Sequence, residues 1–370
     1  MALVPKHIKQ LGAYKPGKPI QQVQREYGIE RVIKLASNEN PLGPSENVLE
    51  DVAKMLTDCH RYPDSSGFQL RNLLADKFNL KIENVVLGAG SEGIMSVIMR
   101  TFLNPTDEIL AARNSFIGFR VLANASGNTV NWVKMKNYRY DLEAMADEIN
   151  EYTKVIYLAN PDNPTGTYFT VDEFDKFMQY VPDRTIVIYD EAYFEYARDV
   201  ADFPDSMFYR YDNVITLRTF SKVYGLAGFR LGYGFGHENL IGNLLKVKLP
   251  FEPSLPSQIA GISALSDDSY LEKSLAMNSE GKSYLLNKLT HAGFKCIPSV
   301  TNFITIKLES KTEAKYLSEE LLKKGVIVRP LAGFGWPECV RITIGTMEEN
   351  EIFINTLNEL KKENDGVFID

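Results

Sequence analysis

Cysteine is scarce in this chain: three residues in 370, Cys59, Cys296 and Cys339, an odd number with no CxxC spacing. That excludes a disulfide framework and fits a reducing compartment such as the cytoplasm. Histidine is nearly as rare. His7, His60, His237 and His291 form no HxH or HExxH pattern, so no zinc site, and no metal, is expected. No stretch approaches the ~18 successive apolar residues of a membrane helix. The opening MALVPKHIKQLGAY lacks the apolar run of a signal peptide. Positive charge is not in excess either: 41 Lys and Arg against 48 Asp and Glu leave −7, which argues against a nucleic-acid surface. Internal repeats and low-complexity linkers are also missing.

Hydrophobic residues make up 44% and charged residues 24%, the balance of a globular chain long enough for two domains. Residues 1–45 are rich in Pro, Gly and charge and read as an N-terminal arm, packing with the small domain or a dimer partner, rather than as a core unit. From about residue 80 short apolar runs alternate with helical segments. NVVLGAG (84–90) predicts a strand and SEGIMSVIMRTFL (91–103) a helix. EILAAR, TVNWVKM, KVIYLAN, TIVIYDEA and NVITLRTFS read as further strands, with DLEAMADEINEY and TVDEFDKFMQYV as helices between them. Such alternation predicts an α/β domain over 46–265, with a mainly parallel sheet covered on both faces. The texture changes after about residue 265. LEKSLAMNSEGKSYLLNKLTHAG, FITIKL, a helix, VIVRP, VRITIGT and a last helix predict a smaller α+β domain over 266–370. The boundary is expected inside one continuous helix.

Gly88-Ala-Gly-Ser-Glu-Gly93 matches GxGxxG between a strand and a helix. Three readings stay open. Free N–H groups at a helix start can cradle a phosphate. A dinucleotide fold would want an acid at the end of the next strand, where this chain has Arg113; only an NADP-type oxidoreductase site tolerates that. A plain glycine turn is the third.

The segment Thr219-Phe-Ser-Lys222-Val-Tyr-Gly-Leu-Ala-Gly-Phe-Arg230 narrows the choice. A lone lysine is most often a solvated surface group. Set at a strand end among hydroxyls and glycines, Lys222 can instead lie in a cleft with a lowered pKa, as a Schiff-base nucleophile. Thr219, Ser221 and Arg230 together suit a phosphate dianion. Asp190, after the strand TIVIYD, can pair with a pyridinium nitrogen, although a helix cap is an equal reading. Tyr193 and Asn163, the latter in the turn-dense Asn160-Pro-Asp-Asn163-Pro-Thr-Gly166, can each bond a ring oxygen; a core tyrosine and a structural turn are the plainer alternatives. Phe116 can stack on a ring or simply fill the core. Together these residues describe a pyridoxal 5′-phosphate (PLP) site.

NPDNPTG, YDEAY, RTFSKVYGLAGFRLGYG and VRITIGT, in this order, resemble the fold-type-I PLP aminotransferases. Tyr14-Lys-Pro-Gly17, LASNENPLGPS (35–45), RYPD (61–64) and VRPL (328–331) resemble, more narrowly, the histidinol-phosphate branch of that family. The resemblance runs from about residue 8 to 362. It implies that Lys222 holds the cofactor covalently, that Asp190 pairs with the ring nitrogen, and that Asn163 and Tyr193 bond the phenolic oxygen. Ser221, Arg230 and the backbone of Ser91 and Glu92 would hold the cofactor phosphate, with Thr219 close by. It implies a homodimer in which Tyr62 reaches the neighbouring site. Arg341 would bind the carboxylate of glutamate or 2-oxoglutarate, Arg329 and Tyr14 the phosphate of histidinol phosphate, with Asn38 and Asn302 lining the pocket. Two departures stand out. Asn114-Ser115-Phe116 replaces the usual Pro-Thr-Tyr, and Ser-Glu-Gly follows the glycine turn in place of an acidic pair. A π-face suffices for stacking and backbone N–H groups for the phosphate, so both should be tolerated. An aromatic or broad-range transaminase and a threonine-phosphate-type decarboxylase remain as alternatives within the scaffold.

Overall fold

The computed structural model describes residues 3–13, 17–207 and 211–363. Its centre is a seven-stranded sheet: β1 (Val85–Gly88), β2 (Glu108–Ala112), β3 (Thr129–Val133), β4 (Thr153–Ala159), β5 (Ile186–Asp190), β6 (Val214–Thr219) and β7 (Gly232–Phe235), in spatial order β1-β7-β6-β5-β4-β2-β3. β7 runs antiparallel to both its neighbours, and the other pairings are parallel. Every residue of β5 and β6 is buried, as expected where helices cover both faces. Val155, Ile156 and Ile188 pack in one core with Met95, Ile98, Phe174 and Phe177 from flanking helices. The α/β, mainly parallel architecture expected from the sequence is thus present. No helix among the described residues is long and apolar enough to cross a membrane.

Two helices matter for the site. α1 (Gly90–Phe102) follows the glycine turn, and α2 (Ile117–Ser126) begins directly after Phe116. A second core gathers Leu285, Leu289, Ile304, Leu317, Val340, Phe353 and Leu357. It is built by α3 (Asp268–His291), α4 (Lys311–Lys323), α5 (Met347–Glu363) and a four-stranded antiparallel sheet, β8 (Lys295–Ile297), β9 (Phe303–Lys307), β10 (Arg329–Pro330) and β11 (Cys339–Thr343), ordered β10-β11-β9-β8.

The structure departs from the sequence reading in four places. DLEAMADEINEY is helical only over Leu142–Asp147, because Asn150 bonds the backbone of Tyr152 (2.8 Å) and takes Thr153 Oγ1 on its own N–H (3.0 Å), a local alternative to helix. The chain near residue 266 is not one continuous helix. Asp267 accepts from the Tyr270 N–H (3.0 Å) and so caps α3 after a separate helix, Leu255–Leu265. VIVRP splits, with Val326–Ile327 pairing in parallel with Ile33–Lys34 and Arg329–Pro330 forming an edge strand, where a proline's missing N–H is harmless. Finally, residues 33–45 pack with the smaller domain as expected of the arm, but they do so as part of its core and also bond the larger unit. Ile33 and Leu35 join the second core, and Asn40 donates to the Val223 carbonyl (2.7 Å) and Ser274 Oγ (3.0 Å). The segment seats so closely that a Cβ on Gly225 (φ +70°) would lie 2.0 Å from the Gly43 carbonyl oxygen.

One ion cluster lies inside the first layer. Arg218 on β6, 1% exposed, donates to Glu191 at 2.8 Å and to Asp205 at 3.1 Å, and its guanidinium lies 3.4 Å from the Phe194 ring centroid. Burial pushes the Glu191 carboxyl up, and Arg218 pulls it back towards the charged form. Removing one member of a buried pair strands the other. Arg218→Ala should therefore destabilise the fold by about 3–5 kcal/mol. Urea unfolding checks this, and a loss under 1 kcal/mol would show that the pair is not stranded.

Candidate active site

Loops leaving the C-terminal ends of neighbouring parallel strands converge on one edge of the large sheet, the usual place for a ligand crevice. Asn114–Phe116 follows β2, Asn160–Gly166 follows β4, Asp190 ends β5, and Lys222 lies three residues after β6. They enclose a cavity of about 170 Å³ that brings together Ser91, Glu92, Phe116, Asn163, Asp190, Tyr193, Thr219, Ser221, Lys222 and Arg230. A roomier cleft of about 440 Å³ runs beside Arg139 and Glu173, but surface ion pairs line it. Chemistry rather than size selects the smaller one.

Lys222 Nζ donates to the Ser37 carbonyl at 3.3 Å, a neutral partner. Burial, helped by the positive charges of Arg341 and Arg230, pushes its amine down to about 8. Asp190 also has neutral partners, the Tyr157 hydroxyl (2.8 Å) and the Ala192 N–H (3.2 Å). Burial pushes its carboxyl up to about 7, with Glu92 and Glu191 nearby adding to the effect. A carboxylate held this way gains from any cation placed in the cavity. Tyr193 accepts from the Asn38 amide at 2.9 Å. Burial pushes its phenol up to about 12, so the hydroxyl keeps a proton to donate. Asn163 Oδ1 accepts from Arg341 Nη1, which leaves the amide N–H end for the cavity.

The other end of the cavity suits a phosphate. α1 starts at Gly90, so the N–H groups of Ser91 and Glu92 lie in its unpaired first turn. Gly90 has φ +76°, and a Cβ there would sit 2.8 Å from Arg230 Nη2; a Cβ on Gly232 would sit 2.4 Å from Ser91 N. The glycines are there for close approach. Arg230 Nη1 reaches Ser221 Oγ (3.5 Å), which also takes Thr219 Oγ1 (3.0 Å). Arg230 and Asn38 hold positive φ (52° and 55°) without being glycine, the kind of local strain that gathers at functional sites.

The expected substrate residues come from the smaller layer. Arg341 on β11 is buried, donates to the Ala36 carbonyl (2.8 Å), and lies 5.1 Å from the Phe303 ring centroid. Arg329 is its direct cross-strand partner. Two like charges opposite one another are unfavourable, so the pair suits an anionic ligand. Asn302 donates to the Asn38 carbonyl at 3.1 Å, and Asn38 Oδ1 accepts from Thr343 Oγ1 at 3.0 Å. Tyr62 is not brought in. It is 81% exposed and stacks on Phe251 (centroids 4.3 Å apart), away from the residues that line the cavity. Tyr14 lies outside the described residues.

Sequence reasoning missed four participants. Tyr157 orients Asp190; a tyrosine in the buried apolar run 155–159 was the available signal, since its hydroxyl needs a partner. Asp162, pushed up to about 6 by burial, accepts from Ser115 (2.5 Å) and Thr165 (2.8 Å) beneath the Asn163 loop. The carbonyls of Ala36 and Ser37 left no signal, because backbone acceptors carry no residue identity.

Residues 30–357 match the family model described as aminotransferase class I and II. The chain belongs to that family. A histidinol-phosphate aminotransferase of Anaeromyxobacter sp. (strain Fw109-5) is 42% identical over 97% of this chain and 99% of the relative. One from Moorella thermoacetica is 40% identical over 97% and 94%. Among solved structures, the histidinol-phosphate aminotransferase of Sinorhizobium meliloti in complex with pyridoxal 5′-phosphate superposes with a TM-score of 0.89, at 25% identity and 98% coverage of both chains. In this aminotransferase the parallel sheet, the glycine turn and the lysine segment therefore stand in a family setting.

Asp190 makes the cofactor-free protein pH-sensitive. Its folded pKa of about 7 exceeds its unfolded value, so its contribution is complete below the unfolded pKa and is lost as pH rises towards 7. Between roughly pH 4 and 7 the wild-type apoprotein should lose a few kcal/mol relative to Asp190→Asn, about 1.4 per pH unit. Parallel urea curves check the difference; equal pH slopes would refute the raised carboxyl.

Proposed function

We propose that this aminotransferase moves the amino group of L-histidinol phosphate to 2-oxoglutarate, giving imidazole-acetol phosphate and L-glutamate, as a step of histidine biosynthesis. Arg329 directly opposite Arg341 carries the reading. One substrate ends in a phosphate and the other in two carboxylates, and a pair of guanidinium forks can hold either. The names and coverage of the relatives support the same substrate.

The chemistry of the lining residues suits pyridoxal 5′-phosphate. Asp190 offers a buried carboxyl awaiting a cation, the α1 start with Arg230 and Ser221 offers donors to a dianion, and Phe116 offers a ring face. When bound, it supplies an electron sink for the substrate α-carbon and tethers through Lys222. The protein's own part is proton handling and orientation. Lys222 Nζ, with its lowered pKa, takes the proton from the substrate α-carbon and delivers it on, as base and then acid. Asp190 stays ionised once paired with a cation, and Tyr193 and Asn163 donate to an anionic ring oxygen. Two substrates using one site in turn give ping-pong kinetics.

A second copy of the chain completes the reading. Tyr62, Phe68, Leu49, Leu56 and Leu249 are each at least half exposed, and large apolar side chains of this kind are ones that a second subunit can cover. A homodimer covers them and brings Tyr62 to the neighbour's phosphate end. Residues 46–265 form the cofactor-binding unit and 266–370 the smaller one, with separate cores as support. Free Cys59, Cys296 and Cys339 support a cytoplasmic location.

Borohydride reduction of the purified holoenzyme should fix the cofactor on the Lys222 peptide, and histidinol phosphate with 2-oxoglutarate should outpace phenylalanine. Lys222→Ala should bind cofactor yet lose at least about 10³-fold in turnover. Arg341→Ala should raise KM for 2-oxoglutarate about 10- to 100-fold. Preference for phenylalanine, or CO₂ release without keto-acid use, would replace the proposed reaction by one of the scaffold's others.

A further inference from the structure

Arg329 and Arg341 need something to hold two like charges side by side. Phe334 provides a shared surface: its ring centroid lies 5.7 Å from the Arg329 guanidinium carbon and 5.9 Å from that of Arg341. Both distances lie within the range of a cation–π contact. Phe334 is itself buried, on the short loop between β10 and β11. Its position therefore depends on what holds that loop.

The loop is held from across the site, by the segment that carries Phe116. The Asn114 amide donates to the Phe334 carbonyl at 3.0 Å, and the Trp336 indole N–H donates back to the Asn114 carbonyl at 3.3 Å. Arg120, on the first turn of α2, donates to the Gly333 carbonyl. Three successive parts of the loop are thus bonded to residues 114–120. The fit is close. A Cβ on Gly335 (φ +91°) would lie 2.0 Å from the Asn114 amide nitrogen. Trp336 packs on Tyr138 with centroids 4.6 Å apart, and joins Ile117 and Phe334 in a small core of its own.

We propose that Asn114 and Trp336 form a two-way clasp that sets the spacing of Arg329 and Arg341 through Phe334, making Asn114, Trp336 and Phe334 positioning residues for the anionic ends of both substrates. This rests on the reading of the two arginines as the substrate anchors. The clasp ties the arginine pair to the segment that presents Phe116, so the distance between cofactor ring and anionic anchors depends on its two hydrogen bonds as well as on the bonds of Arg341 to Asn163 and Ala36. A substrate is thereby held at a set reach from Lys222.

The test uses Asn114→Ala, Trp336→Phe and the double variant as holoenzymes. Each half-reaction is followed separately through the cofactor absorbance. Each single variant should raise KM about fivefold for histidinol phosphate and for glutamate, as for one lost hydrogen bond. The cofactor spectrum, cofactor affinity and limiting rate should stay within twofold. The double variant should be little worse than either single one, because both loosen one loop. Phe334→Tyr should retain wild-type KM, whereas Phe334→Ala should raise it for both substrates. Unchanged KM values, or KM effects that simply multiply in the double variant, would overturn the clasp. So would a change confined to limiting rate and cofactor spectrum, since Asn114 would then act through Phe116. If wild-type protein ignores histidinol phosphate, the substrate assignment fails by itself, and the glutamate half-reaction still decides the clasp.

Discussion

Asp190 and Lys222 are both taken out of water and given neutral hydrogen-bond partners, the Tyr157 hydroxyl and the Ser37 carbonyl. A lone buried charge is held at a penalty of several kcal/mol, so each group shifts towards its neutral form. That imbalance is what makes the cavity receptive to a group with a positive ring nitrogen and an electrophilic carbon. It is tolerable because the same strands satisfy themselves on their other face. Successive side chains on a strand point opposite ways. Asp190 and Thr219 line the cavity, while their chain neighbours Glu191 and Arg218 pair at 2.8 Å on the far side. One face is left wanting a partner and the other has one. The sheet can therefore carry reactive groups without surrendering its core.

How much of this was legible in the sequence follows from how local each feature is. The strands announced themselves because parallel strands buried on both faces are continuous apolar runs. Lys222, Ser221, Thr219 and Arg230 could be read together because one turn of chain presents them all. Asp190 and Tyr193 likewise share one loop. Features made by distant chain segments were not legible. No spacing rule joins Asn114 to Phe334, or Ala36 to Arg341. That residues 33–45 pack with the smaller domain was expected, but the bonds that seat them were not legible for a related reason. Their Pro, Gly and polar content reads as surface, whereas the asparagines in fact bond buried groups such as the Val223 carbonyl and Thr343 Oγ1. Helix ends were misjudged where a side chain competed with the helix, as Asn150 and Asp267 do.

The two arginines are not equivalent, and under the proposed function the difference bears on how one site would serve two substrates. Arg341 is buried and anchored at both ends of its fork, by Asn163 Oδ1 and the Ala36 carbonyl. A guanidinium so fixed presents a single planar geometry, which suits the carboxylate of an amino or keto acid. It also couples that anchor to Asn163, whose other end faces the cofactor cavity. Arg329 is only half-buried, on an edge strand beside the Phe334 ring. Its head is free to meet a tetrahedral phosphate or a distal carboxylate with small rotations. On the proposed function, one rigid and one adjustable cation, opposed across two strands, would give fixed reach at one end of the substrate and tolerance at the other. A pair of equally rigid arginines would select one of the two substrates. A pair of equally loose ones would hold neither at a set distance from Lys222.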